Sequence, residues 1–137
     1  MSNATNNTAS GKTVLLVDND LNGLAQCKAQ LEKAGYTVKT AESRREAEEL
    51  FKAGKPDLVI TEVMLEHTDA GFTLCHHVKQ ADAKLPVILV TGVAAKTGLE
   101  FDAATAEERS WIKADALLAK PVRFEQLQHL MERLMAG

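Results

Sequence analysis

The sequence has little of several things that would mark a function class at once. It has two cysteines, Cys27 and Cys75, and their spacing fits no metal motif. Both fall on helical patterns, so buried or half-buried free thiols in a reducing compartment are expected. No run approaches the 18 apolar residues of a membrane span, and no charged-then-apolar leader opens the chain. Those absences point to the cytoplasm and away from a membrane. A basic surplus is missing too: the formal net charge is -3 and the sequence pI is near 5.8. Direct nucleic-acid binding is therefore disfavoured. What is there is ordinary for one globular core: 137 residues, 45% hydrophobic and 26% charged.

Residues 1–11 are small and polar without an apolar period, and read as a disordered tail. After them the periods alternate. Thr13–Val17 is a continuous apolar run, the pattern of a strand buried on both faces. Leu24, Cys27 and Leu31 then recur at helical spacing over 21–34, and Gly35 stops the helix. Tyr36–Thr40 mixes polar and apolar residues, which suits a strand at the sheet edge. Ser43 and Glu46 form a capping box, with Ala47, Leu50 and Phe51 as the apolar stripe behind it. Strands are predicted at Asp57–Thr61, Pro86–Val90 and Ala116–Ala119, and helices at Phe72–Gln80 (after Gly71), about 104–113, and Arg123–Met135. In the last helix Phe124, Leu127, Leu130, Met131 and Leu134 face inward. Five strand–helix units imply a parallel sheet covered on both faces, an α/β fold.

Ligands of such sheets sit outside the carboxyl ends of the strands. The residues there are Asp18-Asn19-Asp20 after the first strand, Glu62 after the third, Thr91-Gly92 after the fourth and Lys120-Pro121 after the fifth. Acids, a hydroxyl and a lysine would converge in one crevice. The set suits phosphoryl chemistry. Carboxylates can ligate Mg2+ or accept a phosphoryl group, and a lysine with a hydroxyl can hold its oxygens. Each residue also has a plain structural use. Asp20 fits the N-cap of the first helix, Thr91 an ordinary strand end, and Lys120 a surface charge.

At these residues the chain resembles the receiver domain of bacterial two-component response regulators. The likeness rests on VLLVDND (14–20), PDLVITEVMLE (56–66), PVILVTG (86–92) and LLAKPV (117–122), and covers the chain from Lys12 onward. It implies a receiver domain over 12–137 with a doubly wound, flavodoxin-like (βα)5 sheet in the order 2-1-3-4-5. It also implies phosphotransfer from a histidine kinase to an aspartate after the third strand, and no enzyme activity beyond that. Carried over by position, Asp18 and Asn19 are the acidic metal-site pair and Glu62 holds the phosphoacceptor position, also as a metal ligand. Thr91 is the switch hydroxyl and Lys120 the phosphoryl-contacting lysine.

Four departures stand out. Glu62 replaces aspartate, and one added methylene moves the carboxylate by roughly 1.5 Å, enough to spoil an attack that needs near-contact alignment. Asn19 replaces the second acid, so Mg2+ binding is expected to be weak. Leu117 stands where an aromatic readout partner of Thr91 is usual. Thr91 and Lys120 are also further apart than in a plain member, with an inserted segment at 94–111 that carries Trp111, the single tryptophan. The expectation is a degenerate receiver, not phosphorylated at Glu62, whose carboxylate pairs with Lys120. Within the sequence no output element follows the last helix, so it would act by touching proteins: a kinase, a downstream target, or a second copy as a homodimer.

A rival of another class is a haloacid-dehalogenase-like, Mg2+-dependent phosphatase, with Asp18 as nucleophile and Asp20 as general acid. It lacks the further acidic motif after the lysine and a cap domain. His76-His77 invites a metal, but adjacent helical residues point about 100° apart, so a half-exposed helix surface is expected. His67 and His129 read as polar surface, and Met64 and Leu65 as core.

Overall fold

The computed structural model describes residues 11–63, 70–91, 114–120 and 122–136. Five parallel strands form one sheet: β1 (Thr13–Val17), β2 (Thr37–Ala41), β3 (Leu58–Glu62), β4 (Val87–Thr91) and β5 (Ala116–Ala119), in the order β2-β1-β3-β4-β5. The described helices are α1 (Leu21–Lys33), α2 (Arg44–Ala53), α3 (Ala70–Ala81) and α4 (Phe124–Ala136). This is the expected doubly wound, flavodoxin-like fold, and β2 lies at the edge as its mixed composition suggested. The expected helix at 104–113, the insertion at 94–111, Met64, Leu65 and His67 lie outside the described residues.

Strand alternation divides the core between the two faces. In β1, Leu15 and Val17 join Val59, Leu74, Val78 and Leu89 under α2 and α3. Val14 and Leu16 join Leu31, Leu58, Ile60, Ile88, Leu127 and Met131 under α1 and α4. Successive side chains of a strand point to opposite faces, so a continuous apolar run is required wherever both faces are covered. Leu127 and Met131 are buried, and Phe124, Leu130 and Leu134 pack beside them, as the spacing of the last helix predicted.

Local signals place the helix ends. Gly35 takes φ 107°, a region that costs a side-chained residue energy. There its N–H donates to the Glu32 carbonyl while Tyr36 N–H donates to Leu31, which closes α1 in a Schellman turn. Tyr36, buried against Leu31, belongs to that turn, which is why β2 starts one residue later than the sequence suggested. Ser43 Oγ accepts from Glu46 N–H at 3.1 Å, and Glu46 Oε1 accepts from Glu42 N–H at 2.8 Å. The capping box is present, with its return bond one residue upstream of Ser43.

Candidate functional site at the strand ends

The sheet register brings the predicted acids together. Val17 pairs with Thr61, so Asp18, just past β1, lies beside Glu62, the last residue of β3. Glu62 pairs with Val90. Alternation sends its side chain to the face of Leu58 and Ile60, the α1/α4 side. Lys120 follows β5 and reaches back past β4. Its Nζ lies 2.8 Å from Glu62 Oε1 and 2.9 Å from Asp18 Oδ2. The Glu62 side chain is 6% exposed, that of Asp18 14% and that of Lys120 32%. One ammonium therefore bridges two nearly buried carboxylates. Burial lowers the Lys120 pKa, but its hydrogen bonds to Glu62 and Asp18 outweigh this and leave it above the ordinary lysine value.

Asp18 has a second engagement: Oδ1 accepts the Asp20 N–H at 2.9 Å. Asp20 occupies the N-cap position of α1, yet its side chain accepts no capping hydrogen bond. The expectation of a capping Asp20 thus holds for position and fails for chemistry. Its carboxylate instead sits over Gly23, where a Cβ would lie 3.0 Å from Oδ2. Asn19 is exposed and does not line the cavity between α1 and α4. Thr91 ends β4 opposite Ala119. Leu117 is 42% exposed.

In this arrangement Lys120 competes with Mg2+ for the acids. A hard divalent cation wants several free oxygen ligands. Here Asp18 spends one oxygen on a backbone N–H and the other on Lys120, and Glu62 is held by the same ammonium. Among the described residues no group of three or more His, Cys, Asp or Glu side chains is placed to hold a metal ion. The cation between the two acids is the lysine.

Beneath the acids lies a cavity of about 520 Å³ between α1 and α4, lined by Asp18, Asp20, Glu62 and Lys120 at one end and by Leu24, Ile60, Val90, Phe124 and Leu127 deeper in. Cys27 lines it as well. Burial, then the Asp18 charge, pushes the Cys27 thiol up to about 11, and burial pushes Cys75 up to about 11. A thiol whose folded pKa is raised contributes stability below its unfolded pKa, and that contribution is lost as pH rises toward the folded value. The chemical-denaturation midpoint is therefore expected to fall between about pH 9 and pH 11. Replacing both thiols (Cys27→Ser with Cys75→Ala) should flatten the lower part of that slope. The loss of the Lys120 charge, which acts in the same direction, should remain in the upper part.

Sequence reasoning missed two features here. One is Gly71, read as a helix boundary. It lies inside α3, buried, and its N–H donates to the Val63 carbonyl at 2.8 Å. A Cβ there would come within 2.6 Å of Val63 Cα and closer still to the Glu62 carbonyl oxygen. The other is a tie between α2 and α3: His77 Nδ1 lies 2.6 Å from Glu48 Oε2, which also accepts from Arg44. Burial raises the Glu48 pKa, but the His77 and Arg44 hydrogen bonds outweigh it and set the carboxyl below its ordinary value. His77 and His129 are exposed and His76 half-buried, in keeping with the helix-surface expectation.

A five-stranded parallel sheet in this order, with an acid after β1, another at the end of β3 and a lysine after β5, defines the receiver class of α/β signalling domain. The profile of the "Response regulator receiver domain" family matches residues 14–132. The chain belongs to that family, the receiver domain of two-component response regulators. The alkaline phosphatase synthesis transcriptional regulatory protein PhoP of Bacillus subtilis is 33% identical over 110 residues, which cover 80% of this chain and 42% of the relative. Response regulator MprA of Mycolicibacterium vanbaalenii is 29% identical, covering 89% and 49%. The chain thus spans less than half the length of these relatives. Among solved structures, a response regulator from Chloroflexus aurantiacus shares 30% identity at a TM-score of 0.73, covering 92% of this chain and 98% of that one. TrrA of Thermotoga maritima, solved in complex with Mg2+–BeF, shares 25% at 0.74, covering 90% and 98%. The dehalogenase-like phosphatase gains no support from these relatives.

Proposed function

We propose that this chain is a degenerate receiver: Glu62 holds the phosphoacceptor position without being phosphorylated, and the domain acts through protein–protein contacts. The observation that carries the reading is the Lys120 ammonium bonded at once to Asp18 and Glu62. A nucleophilic carboxylate needs an open approach and near-contact alignment. Glu62 is nearly buried, one methylene longer than aspartate, and already engaged by a cation. Lys120 lines the pocket, and Leu117 offers no aromatic ring to couple to Thr91, the residue at the switch-hydroxyl position. Mg2+ would have to displace Lys120 to reach Asp18 and Glu62, so weak affinity is expected at a site of Asp18, Asn19 and Glu62.

The partners on this reading are proteins: a histidine kinase, a downstream target, or a second copy of the chain. The domain itself contributes no nucleic-acid contact, in line with its net charge of -3. Its setting is the cytoplasm, where both thiols stay reduced. Among the described residues no helix is long and apolar enough to cross a membrane.

Labelling tests the proposal. Incubation with Mg2+ and acetyl phosphate, followed by intact mass, is expected to leave the parent chain unmodified. Glu62→Asp shortens the side chain by the roughly 1.5 Å that alignment requires, and a labile acyl phosphate on that variant alone would identify Glu62 as the block. Stoichiometric labelling of the parent at Glu62 would overturn the reading.

A further inference from the structure

The cavity between α1 and α4 is larger than the chemistry of a phosphoryl site needs, and it runs away from the strand ends into the apolar layer. Its origin is local. Gly23 and Cys27 are small residues four apart on the face of α1 that looks toward Phe124 and Leu127 of α4. Residues at that spacing share a helix face, so two small side chains there leave one continuous void. Its volume of about 520 Å³ falls in the range of small-molecule pockets.

The two ends differ in kind. The deep end is walled by Leu24, Ile60, Val90, Phe124 and Leu127. The mouth carries three carboxylates, Asp18, Asp20 and Glu62, against the single ammonium of Lys120. Lys120 is spent on Asp18 and Glu62. Asp20 has no such partner: its side chain makes no cap bond, and among the described residues no cation pairs with it. An excess of negative charge, with one carboxylate open at the rim of an apolar pocket, selects against anions and in favour of a cation with an apolar body. Gln26 and Gln30, exposed on the same side of α1, add neutral hydrogen-bonding groups at the rim.

We propose that this cavity is a binding site for a small amphipathic cation, an ammonium or guanidinium group on an apolar body, whose charged head sits at Asp20 and whose body lies between α1 and α4. The site needs no phosphotransfer. It gives a domain with a blocked acceptor a route by which a ligand could reach the Lys120 bridge. That consequence rests on the degenerate-receiver reading, whereas the binding does not.

The test uses the full chain and three probes with the same tail: hexylamine, hexanol and hexanoate. Amide NMR shifts are followed during titration at neutral pH, with no phosphodonor and no Mg2+. Hexylamine is expected to give saturable shifts at residues 18–27, 62, 120 and 124–127, hexanol weaker ones at the same places, and hexanoate none. Asp20→Asn keeps a good N-cap residue and removes the charge. It is expected to weaken hexylamine about five-fold, the worth of one half-exposed ion pair, and to leave hexanol unchanged. Cys27→Met fills the void and should weaken both. The proposal is overturned if hexanol or hexanoate binds as well as the amine, if Asp20→Asn leaves the amine affinity unchanged, or if the shifts map elsewhere. The labelling experiment reads Glu62 separately, so failure of one reading does not decide the other.

Discussion

Lys120→Met is expected to destabilise the fold by about 2–3 kcal/mol at neutral pH, read as a drop in the urea midpoint. The substitution keeps most of the apolar stem and removes the charge. Two carboxylates, 6% and 14% exposed, then face one another with no cation between them. Removing one partner of a buried pair costs about 3–5 kcal/mol because the remaining charge stays desolvated. A value at or just below the lower figure applies here because the Lys120 side chain is 32% exposed and water can reach the vacated position. The pH dependence has a definite sign. A carboxyl beside an uncompensated like charge is pushed above its ordinary pKa. Such a group stabilises the fold below its unfolded pKa, near 4, and the contribution is lost as pH rises through the folded value. The gap between variant and parent should therefore shrink on going from pH 7 to about pH 5. A second substitution, Glu62→Gln, should restore half or more of the loss at pH 7, since it removes one of the two charges. If Lys120→Met is as stable as the parent, or if Glu62→Gln adds to the damage, the bridge is not what holds this pocket together.

The convergence of Asp18, Glu62 and Lys120 was legible in the sequence for a simple reason. Buried parallel strands are continuous apolar runs, and the residue after each run is fixed at the same end of the sheet. Val14–Val17, Leu58–Thr61 and Ala116–Ala119 are such runs, and their successors are Asp18, Glu62 and Lys120. The expected pairing of Glu62 with Lys120 depended only on that placement, and the ion pair between them bears it out. What the sequence hid depends on distances between side chains rather than on periods. An aspartate before a helix reads as a cap, but Asp18 takes the Asp20 N–H and the Asp20 carboxylate turns over Gly23 instead. His77 and Glu48 are 29 positions apart, and only the packing of α3 beside α2 makes them neighbours. The cavity is also invisible to pattern reading. Gly23 and Cys27 look like tolerated small residues in an amphipathic helix until Phe124 and Leu127 are placed across from them.

Gly71→Ala should be as damaging as losing the bridge, although an alanine is ordinarily welcome in a helix. Intrinsic propensity favours alanine by about 1 kcal/mol. Against that stands a Cβ placed 2.6 Å from Val63 Cα and nearer still to the Glu62 carbonyl, both of them backbone atoms. Neither can rotate away, so the N-terminus of α3 must lift from the end of β3. Overpacking of this kind costs about 1–3 kcal/mol when side chains can adjust, and a rigid backbone contact belongs at or above the top of that range. A net loss of about 2 kcal/mol is expected after the propensity gain. The same substitution at Gly23 is the control. Gly23 is also helical, but its Cβ would meet only the Asp20 carboxylate, the far end of a flexible side chain. Gly23→Ala should therefore be neutral or stabilising by up to about 1 kcal/mol. The two glycines then differ in sign for one chemical change. The difference also reaches the pocket, because lifting α3 shifts the backbone of Glu62, so Gly71→Ala should perturb the amide resonances of residues 18, 62 and 120 while Gly23→Ala confines its changes to the start of α1. Equal effects at the two positions would mean that the contact between α3 and the Glu62 carbonyl yields without cost, and that the carboxylate beyond it is positioned by Lys120 alone.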